Sequence, residues 1–326
     1  MVRGIVFNGM RPTSSLHLGN YLGSVVNMIK LQNEYQCFYA IVDWHALTTG
    51  YENTKELQTN IQGIALDWLS AGVDPEKCTI FVQSQVKEHA ELHLLLSMLT
   101  PLGWLERVPT YKDQLRQLQE RNIHTYGFLG YPMLMAADIL AYKADTVPVG
   151  EDQIPHLEFA REVARRFNHL YQPIFPEPDA YLTKTPLLPG IDGRKMSKSY
   201  GNDIPMSASP ELIQEKVRQM ITDPARVRKT DPGNPEICTV AQFYKSFLPA
   251  GLEDVYGHCQ TGSIGCVACK KRLAQLIIQR MEPIYRRRQE LEKRPELVRE
   301  ILNDGAKRAR LTATQVIAEV RQAMNV

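Results

Sequence analysis

The chain has 326 residues, of which 44% are hydrophobic and 23% are charged, and its formal net charge is +2. This is the composition of an ordinary globular protein, and the length suffices for one large domain and a smaller one. No apolar run is long enough to span a membrane and no signal peptide is evident, so a membrane protein is excluded and we expect a cytoplasmic location.

The first structural signal is a short apolar run ended by glycine, residues 4–9, which predicts a buried strand. Residues 10–20 then read Met-Arg-Pro-Thr-Ser-Ser-Leu-His-Leu-Gly-Asn, and apolar residues continue at helical spacing from Leu22. We interpret this as a strand-to-helix turn, where an open α/β sheet binds nucleotides, because orphan N–H groups and the helix dipole favour anions. His17 can donate to phosphate oxygens and Gly19 leaves room for a nucleotide, although an ordinary histidine at a helix start fits the same pattern.

Two further buried strands are predicted at residues 37–42 and 78–82, with a helix over 55–71 between them. Strands that alternate with helices predict a doubly wound parallel sheet. The stretch from about 86 to 130 differs, because it is helical, rich in Leu, Gln and Arg, and without a strand signal. We therefore expect a helical insertion between the halves of the sheet.

An apolar helix with a single carboxylate is predicted at residues 131–140. Met135 and Asp138 are three residues apart and therefore share a face of that helix. A lone Asp among apolar residues is costly unless it is paired, so Asp138 is either a structural or capping residue or an acceptor that faces a ligand. An indole N–H group is only a donor and needs such an acceptor, and a wall of Met and aromatic side chains suits the ring.

A fourth strand, residues 146–149, runs into Gly-Glu-Asp-Gln at residues 150–153 and then into a predicted helix over 154–168. Acidic residues at a helix start stabilise its dipole, and Gly150 allows a ligand to approach closely. The same residues could simply be an N-capping cluster.

A loop is predicted around Lys-Met-Ser-Lys-Ser at residues 195–199, with Gly-Ile-Asp-Gly-Arg before it and Tyr-Gly-Asn after it. Glycines on both sides favour a mobile loop with unusual backbone angles, and ammonium groups and hydroxyls bind oxyanions. We interpret the loop as a flexible clamp for a polyphosphate, while a solvated basic turn is the alternative when the loop is taken alone.

Together, these motifs resemble a known family. Pro-Thr-x-x-x-His-x-Gly-Asn from residue 12 and Lys-Met-Ser-Lys-Ser from residue 195 resemble the two signatures of class I aminoacyl-tRNA synthetases. Asn20 stands where the usual His-x-Gly-His form has its second histidine, a departure that occurs in the tryptophanyl branch. Tyr-Pro-x-x-Met-Ala-Ala-Asp-Ile-Leu from residue 131 and Val-Pro-Val-Gly-Glu-Asp-Gln from residue 147 are similar to that branch as well. The resemblance is strong over residues 7–202 and looser towards the C-terminus.

The resemblance implies a Rossmann-type catalytic domain at residues 1–205, whose helical insertion supplies a homodimer contact, and a mainly α-helical domain at 206–326 that contacts the tRNA anticodon. It implies a tryptophan–tRNA ligase, which forms tryptophanyl-adenylate and pyrophosphate from L-tryptophan and ATP with Mg²⁺, and then transfers tryptophan to the 3′ end of tRNA(Trp). The catalytic residues carried over are His17, Asn20, Lys195 and Lys198. The ATP-binding residues carried over are Arg11, Pro12, Thr13, Gly19, Asn20, Gly150, Glu151, Asp152, Lys195, Met196, Ser197, Lys198 and Ser199. The tryptophan-binding residues carried over are Phe7, Gly9, Val42, His45, Tyr131, Met135, Asp138 and Gln153.

Two alternatives to this function remain open. One is the same chemistry with tyrosine, and the other is a nucleic-acid-binding or regulatory relative that has kept the fold and lost aminoacylation. Met135 stands where the related tyrosyl enzymes tend to have glutamine, which favours tryptophan. The intact Lys195, Lys198 and Asp138 argue against a non-charging relative.

The C-terminal residues 270–326 are basic, with 14 Lys and Arg against 7 Asp and Glu, a local net charge of +7. This asymmetry indicates a polyanion facing the C-terminal region. The run of three arginines at residues 286–288 fits either that role or a solvated helix face.

Four of the six cysteines, Cys238, Cys259, Cys266 and Cys269, form a candidate metal site, with the last three in an eleven-residue window. A reducing cytoplasm and a metal site fit these cysteines better than a disulfide framework, and four unrelated core residues are the alternative. Structural zinc sites usually pair two short Cys-x₂₋₄-Cys turns and only one is present, whereas four thiolates at uneven spacing suit a [4Fe–4S] cluster. A subset of tryptophanyl enzymes resembles this pattern and carries that cluster, with a slightly longer first gap. We therefore prefer [4Fe–4S], with zinc as the alternative.

Overall fold

The computed structural model describes residues 3–109, 111, 123–182 and 188–326. Its centre is one sheet of five parallel strands in the order β3-β2-β1-β4-β5. The strands are β1 (Ile5–Met10), β2 (Gln36–Ile41), β3 (Cys78–Val82), β4 (Thr146–Val149) and β5 (Asp179–Leu182). The predicted fold class, a doubly wound parallel sheet with helices, is confirmed.

Strands β1, β2 and β3 form because their residues are almost all apolar and can be buried on both faces of the sheet. Strand β5 was not predicted from the sequence. Its residues, Asp-Ala-Tyr-Leu, mix polar and apolar types, and it pairs with β4 at the edge of the sheet, where Asp179 and Leu182 are exposed. An edge strand of this kind lacks the continuous apolar run that makes a central strand recognisable.

The strand order places a switch point between β1 and β4. The chain moves outwards from β1 to β2 and β3, and then returns to the other side of β1 with β4 and β5. Because the loops after β1 and β4 lead away in opposite directions, a crevice opens at the carboxyl ends of these strands. The segments that follow β1, β2 and β4 meet around this crevice.

Helices account for most of the remaining chain. Helix α1 covers residues 18–31 and contains a π-helical turn at Tyr21–Val25. The further helices are α2 (Asp43–Gly50), α3 (Leu57–Ala71), α4 (Glu88–Ser97), α5 (Leu102–Arg107), α6 (Tyr126–Leu129), α7 (Tyr131–Leu140), α8 (Ile154–Leu170), α9 (Pro210–Gln219), α10 (Thr239–Phe247), α11 (Leu252–Gln260), α12 (Cys266–Glu292) and α13 (Pro295–Met324). Helices α4 to α6 lie in the predicted insertion, of which residues 110 and 112–122 are outside the described residues.

Two apolar clusters cover the two faces of the sheet. Alternate residues of β2 and β3 point to opposite faces, so that Tyr39 and Ile80 join one cluster and Phe38 and Phe81 join the other. The first cluster includes residues of α1, α3, α9, α10 and α12, and the second includes residues of α4, α7, α8 and α13. The C-terminal helices therefore share both cores with the sheet.

The last helix, α13, packs directly on strand β3 at Gly305. A Cβ atom at this position would lie 1.8 Å from the carbonyl oxygen of Ile80, so only glycine permits this approach. The division into domains at residue 205 stays a prediction. No helix of the described part of the chain is long and apolar enough to cross a membrane.

Candidate active site

A cavity of about 390 Å³ opens at the carboxyl ends of β1 and β4. All eight residues predicted to bind tryptophan lie in its wall: Phe7, Gly9, Val42, His45, Tyr131, Met135, Asp138 and Gln153. Two of the residues predicted to bind ATP, Arg11 and Gly150, line the same cavity. The strand order thus gathers residues from positions 7 to 153 around one space.

Helix α7 supplies one wall of the cavity. Tyr131, Met135 and Asp138 are separated by four and three residues, which places them on one face of the helix. Pro132 stands in the first turn, where its missing N–H group is not needed for a helical hydrogen bond. The opposite face, which includes Met133 and Ala137, is buried in the second apolar cluster, and this packing fixes the helix.

Asp138 lies at the floor of the cavity and is only 1% exposed. Its oxygens accept hydrogen bonds from Gln83 Nε2 at 2.7 and 2.8 Å, and contact His45 Nε2 at 3.0 Å and His89 Nδ1 at 2.5 Å. Burial by itself would raise the pKa of this carboxyl, but the neighbouring His89 and His45 outweigh it and hold the pKa at about 2. Asp138 is therefore an ionised carboxylate at neutral pH.

The second ring nitrogen of His89 extends this network. It contacts the Tyr142 hydroxyl at 2.6 Å, and burial raises the pKa of that phenol well above its ordinary value. Sequence reasoning missed Gln83, His89 and Tyr142. Gln83 directly follows β3 at the carboxyl edge of the sheet, a position that could have singled it out, whereas nothing local marks His89 or Tyr142.

At the other end of the α7 wall, the Tyr131 hydroxyl contacts His156 Nε2 at 2.7 Å. His156 is 2% exposed, and burial lowers its pKa to about 4 against the opposing influence of Asp152. The imidazole is therefore neutral. Its Nδ1 atom is buried without a hydrogen-bond partner among the described residues. His156 was not predicted as a site residue.

The segment after β4 contains three residues predicted to bind ATP. Gly150 begins a single 3₁₀ turn, Glu151–Gln153, that leads into α8. The Glu151 and Asp152 side chains are exposed, and a Cβ atom at Gly150 would lie 2.7 Å from Asp152 Oδ1. The turn thus presents two carboxylates outside the cavity, while Gln153 faces into it.

The turn before α1 is closed by His17 and Asn20. Asn20 Oδ1 accepts the His17 N–H at 3.1 Å, and His17 Nδ1 accepts the Asn20 N–H at 3.3 Å, which together form a capping box. Because Nδ1 is an acceptor, the ring hydrogen of the neutral imidazole is on Nε2. Burial lowers the pKa of His17, which favours this neutral form.

The two signature motifs meet in the structure. Leu18 donates its N–H to Ile204 O, and Met206 donates its N–H to Leu16 O, each at 2.9 Å. Met196, within the second motif, is 4% exposed, and its Sδ atom lies 3.7 Å from the position of a Cβ at Gly19. The imidazole of His17 lies 3.0 Å from the same position, so the room predicted above Gly19 is partly taken by these two side chains.

The loop of residues 195–199 is held at its base. Asn202 Oδ1 accepts the Ser197 N–H at 2.8 Å, while Asn202 Nδ2 donates to Asp192 Oδ1 at 2.7 Å. Gly193 and Gly201 have φ values of 81° and 64°, so the unusual backbone angles predicted for the flanking glycines are present. The lysines at 195 and 198 are exposed, and neither forms an ion pair within the described ranges.

Comparison with known proteins assigns this chain to a family. The family described as tRNA synthetases class I (W and Y) matches residues 3–282. The chain belongs to this family. A tryptophan–tRNA ligase of Thermotoga maritima is 49% identical over 324 residues, which cover 98% of this chain and 99% of the relative. A tryptophan–tRNA ligase of Aquifex aeolicus is 45% identical over 392 residues, with 98% and 99% coverage.

Solved structures agree with this class I assignment. The tryptophanyl-tRNA synthetase of Campylobacter jejuni, complexed with ADP and tryptophan, superposes with a TM-score of 0.89 at 34% identity and covers 99% of this chain and 100% of its own. The enzyme from Mycoplasma pneumoniae superposes with a TM-score of 0.81 at 27% identity. The class I fold predicted from the sequence thus extends over the whole length of the chain.

In this class I synthetase, none of the four cysteines predicted to bind a metal forms a disulfide. Cys266 and Cys269 lie in the first turn of α12, Cys259 lies near the end of α11, and Cys238 precedes α10. Burial raises the pKa of Cys269 to about 11, and the thiols of Cys238, Cys259 and Cys266 act in the same direction. Within the described ranges, no group of three or more His, Cys, Asp or Glu side chains is placed to hold a metal ion. The iron–sulfur and zinc assignments therefore find no support in this geometry and stay predictions.

Proposed function

We propose that this chain is a tryptophan–tRNA ligase, which activates L-tryptophan with ATP and transfers it to the 3′ end of tRNA(Trp). The predicted activity is confirmed at the level of the relatives, because tryptophan–tRNA ligases match this chain over almost their whole length. The observation on which the proposal rests is the ionised Asp138 at the floor of an otherwise largely apolar cavity. That arrangement suits an apolar ring with a single N–H donor.

The geometry of α7 supports one orientation of the amino acid. Asp138 and Tyr131 are seven residues apart on one helical face, about 10 Å along the axis. If the indole N–H donates to Asp138, the ring lies against Met135 and the amino and carboxylate groups reach the level of Tyr131. The Gln83 amide contacts both oxygens of Asp138, so an incoming N–H group can replace one of those two contacts.

In the first step, a carboxylate oxygen of tryptophan attacks the α-phosphorus of ATP, and the bond from that phosphorus to the bridging oxygen of pyrophosphate breaks. No enzyme nucleophile is needed, so the chain acts by positioning and charge stabilisation. We assign this stabilisation to the Nε2–H donor of His17, to Asn20, and to the ammonium groups of Lys195 and Lys198. Mg²⁺, bound mainly by the phosphates, would supply further positive charge.

Amino-acid-dependent exchange of pyrophosphate into ATP tests this function. Purified protein is assayed with tryptophan and with tyrosine separately. We expect exchange with tryptophan and at least a hundredfold lower kcat/KM with tyrosine, whose phenol both donates and accepts. Exchange with tyrosine alone would identify the tyrosyl alternative. No exchange with either amino acid, from protein that binds both ATP and tRNA, would favour the non-charging relative.

For the four cysteines we propose a [4Fe–4S] cluster of structural function, with no redox step in aminoacylation. Three of the four cysteines lie in an eleven-residue window, which supports a common site, and the guanidinium of Arg226 lies 3.8 Å from Cys259 Sγ, where it would offset thiolate charge. Anaerobically purified protein should be brown and contain about four irons and four acid-labile sulfides per chain. A colourless protein that contains one zinc and no labile sulfide would identify the bound metal as zinc and rule out the cluster.

We also propose that the protein is a cytoplasmic homodimer, with the contact on the helical insertion. Exposed apolar side chains support this contact, since Leu94 on α4, Met98 directly after it and Leu102 on α5 are 53%, 71% and 57% exposed. Light scattering after size exclusion should give twice the mass of the chain. Met98→Lys should shift the protein to monomer, whereas Val227→Lys, at an exposed apolar residue elsewhere, should not. A parent protein that elutes as a monomer would contradict this contact.

The helices after residue 206 are proposed to form the unit that contacts the tRNA anticodon. The excess of Lys and Arg in residues 270–326 supports this role, because phosphate neutralisation makes binding depend on positive charge. Binding of tRNA(Trp) should therefore weaken steeply as the salt concentration rises. An affinity that is insensitive to salt would argue against this assignment.

A further inference from the structure

A buried ion pair joins the C-terminal helices to the nucleotide-binding turn. Asp67 on α3 is 1% exposed, and its Oδ1 atom contacts Arg288 Nη1 on α12. Its other oxygen, Oδ2, accepts the backbone N–H of Leu16 at 3.2 Å. Arg288 is one of the three consecutive arginines that were predicted to face a polyanion or solvent, but its side chain is only 13% exposed. This arginine is therefore not part of a solvated face.

The pair is extended on both sides. Arg288 Nε donates to Glu292 at 2.8 Å, and Arg288 Nη1 lies 3.4 Å from Gly63 O. Burial raises the pKa of Asp67 to about 6, against the lowering influence of Arg288. A carboxylate in such a place depends on its partner, because removal of one member of a buried pair leaves an uncompensated charge.

Leu16 is the residue directly before His17, and it is fixed from two directions. Its N–H is held by Asp67, and its carbonyl accepts the Met206 N–H at 2.9 Å from the segment that follows the second signature motif. The Leu16 side chain is 4% exposed. The position of the capping box formed by His17 and Asn20 is thus set by what holds Leu16.

We propose that Asp67 is a positioning residue for adenylate formation, kept in place by Arg288. By holding the Leu16 N–H, Asp67 fixes the turn so that the His17 Nε2–H and the backbone at Gly19 meet the phosphates of ATP. Arg288 lies 22 residues after Cys266 on the same helix, about 33 Å along its axis, so α12 joins the cysteine region to this turn. This inference rests on the proposed function, because adenylate formation is the step that it concerns.

The test compares variants in tryptophan-dependent pyrophosphate exchange. Asp67→Asn leaves one acceptor oxygen where two are used, and Arg288→Gln removes the positive charge. We expect each to lower kcat/KM for ATP about tenfold, while the Kd for tryptophan, measured by titration without ATP, changes less than twofold. Arg288→Lys keeps the charge and should recover part of the loss. Arg321→Gln is the matched control, because it removes a half-exposed pair between α13 and Glu91 of α4 and should leave both values unchanged.

Hydrogen exchange provides a readout that does not depend on activity. In both Asp67→Asn and Arg288→Gln, amides of a peptide covering residues 16–20 should exchange at least tenfold faster than in the parent, while strand β2 keeps its protection. Unchanged protection at residues 16–20 would overturn the inference whatever the kinetics show. Faster exchange throughout the sheet, with equal losses for ATP and tryptophan, would mean that the pair only stabilises the fold. A parent protein without tryptophan-dependent pyrophosphate exchange would refute the proposed function. The hydrogen-exchange data would still show whether Asp67 holds the turn at residues 16–20.

Discussion

The floor of the amino-acid pocket and the loop of residues 195–199 differ in how their charges are compensated. Asp138 is 1% exposed, and three side chains from three separate elements already bind its oxygens. Lys195 and Lys198 are exposed and form no ion pair in the part of the chain that the structure describes. One charge is thus satisfied by the protein itself, and the other two are left to solvent and ligand.

This difference follows from burial and leads to different functions. A buried carboxylate must be paired, and its partners then hold it in a fixed place where it can discriminate between side chains of substrates. Exposed ammonium groups on a loop have little energetic reason to stay in one place. We therefore expect the pocket to determine which amino acid binds, and the loop to act when charge moves onto pyrophosphate.

The largest effect is expected in the loop. Lys195→Ala and Lys198→Ala should each lower kcat for pyrophosphate exchange by about 10²–10³, because each removes a charge that acts on the leaving group. The Kd for tryptophan should stay within twofold of the parent value. Measurement of kcat and of the Kd for tryptophan in each variant tests whether the loop acts on the leaving group and the pocket selects the amino acid. An equally large loss of tryptophan binding would contradict this division of roles.

The second effect is expected at the floor of the pocket. Asp138→Asn keeps the shape but loses the charge, and it leaves at most one acceptor oxygen for three protein donors and the indole N–H. Binding of tryptophan should weaken by about 1–3 kcal/mol, and binding of ATP should change little. Calorimetric titration with each ligand measures this. Unaltered tryptophan affinity would make Asp138 a structural residue and contradict the pocket assignment.

The pocket should also be sensitive to acid through His156. Its pKa is lowered from 6.5 to about 4 by burial, so the unfolded chain binds more protons than the folded chain between these values, and stability is lost as the pH falls through this range. Between pH 7 and pH 5, His156 should remove about 1–2 kcal/mol from the free energy of unfolding. Urea unfolding of the parent and of His156→Asn at both pH values measures this contribution. If the two proteins lose equal stability on acidification, His156 does not contribute to the pH dependence of the free energy of unfolding.

The smallest effect is expected from the contacts of the loop with itself. Arg194 pairs with Asp192 at 2.6 Å and lies 4.9 Å above the Tyr200 ring, but its side chain is 65% exposed. Arg194→Ala should therefore change the free energy of unfolding by less than about 0.5 kcal/mol. Thermal or urea unfolding measures this change. A loss above 1 kcal/mol would show that the loop is more rigidly held than the comparison implies.

Local patterns in the sequence were sufficient for much of the fold. Apolar runs predicted the first four strands, and β3 begins and ends at the predicted residues. Helical spacing placed α3, α7 and α8 within two residues of their observed bounds.

The sequence by itself also indicated many residues of the candidate site, because the signature motifs are contiguous stretches whose residue types carry the chemistry. The tertiary structure alone decided how these residues are held. Gln83, His45 and His89 reach Asp138 from the turn after β3, from α2 and from α4, and Asp67 connects Leu16 to Arg288 over more than 220 residues. Periodicity describes neighbours along one helix or strand, whereas these contacts depend on which elements pack against each other, and that is settled only when the sheet and its two apolar clusters form.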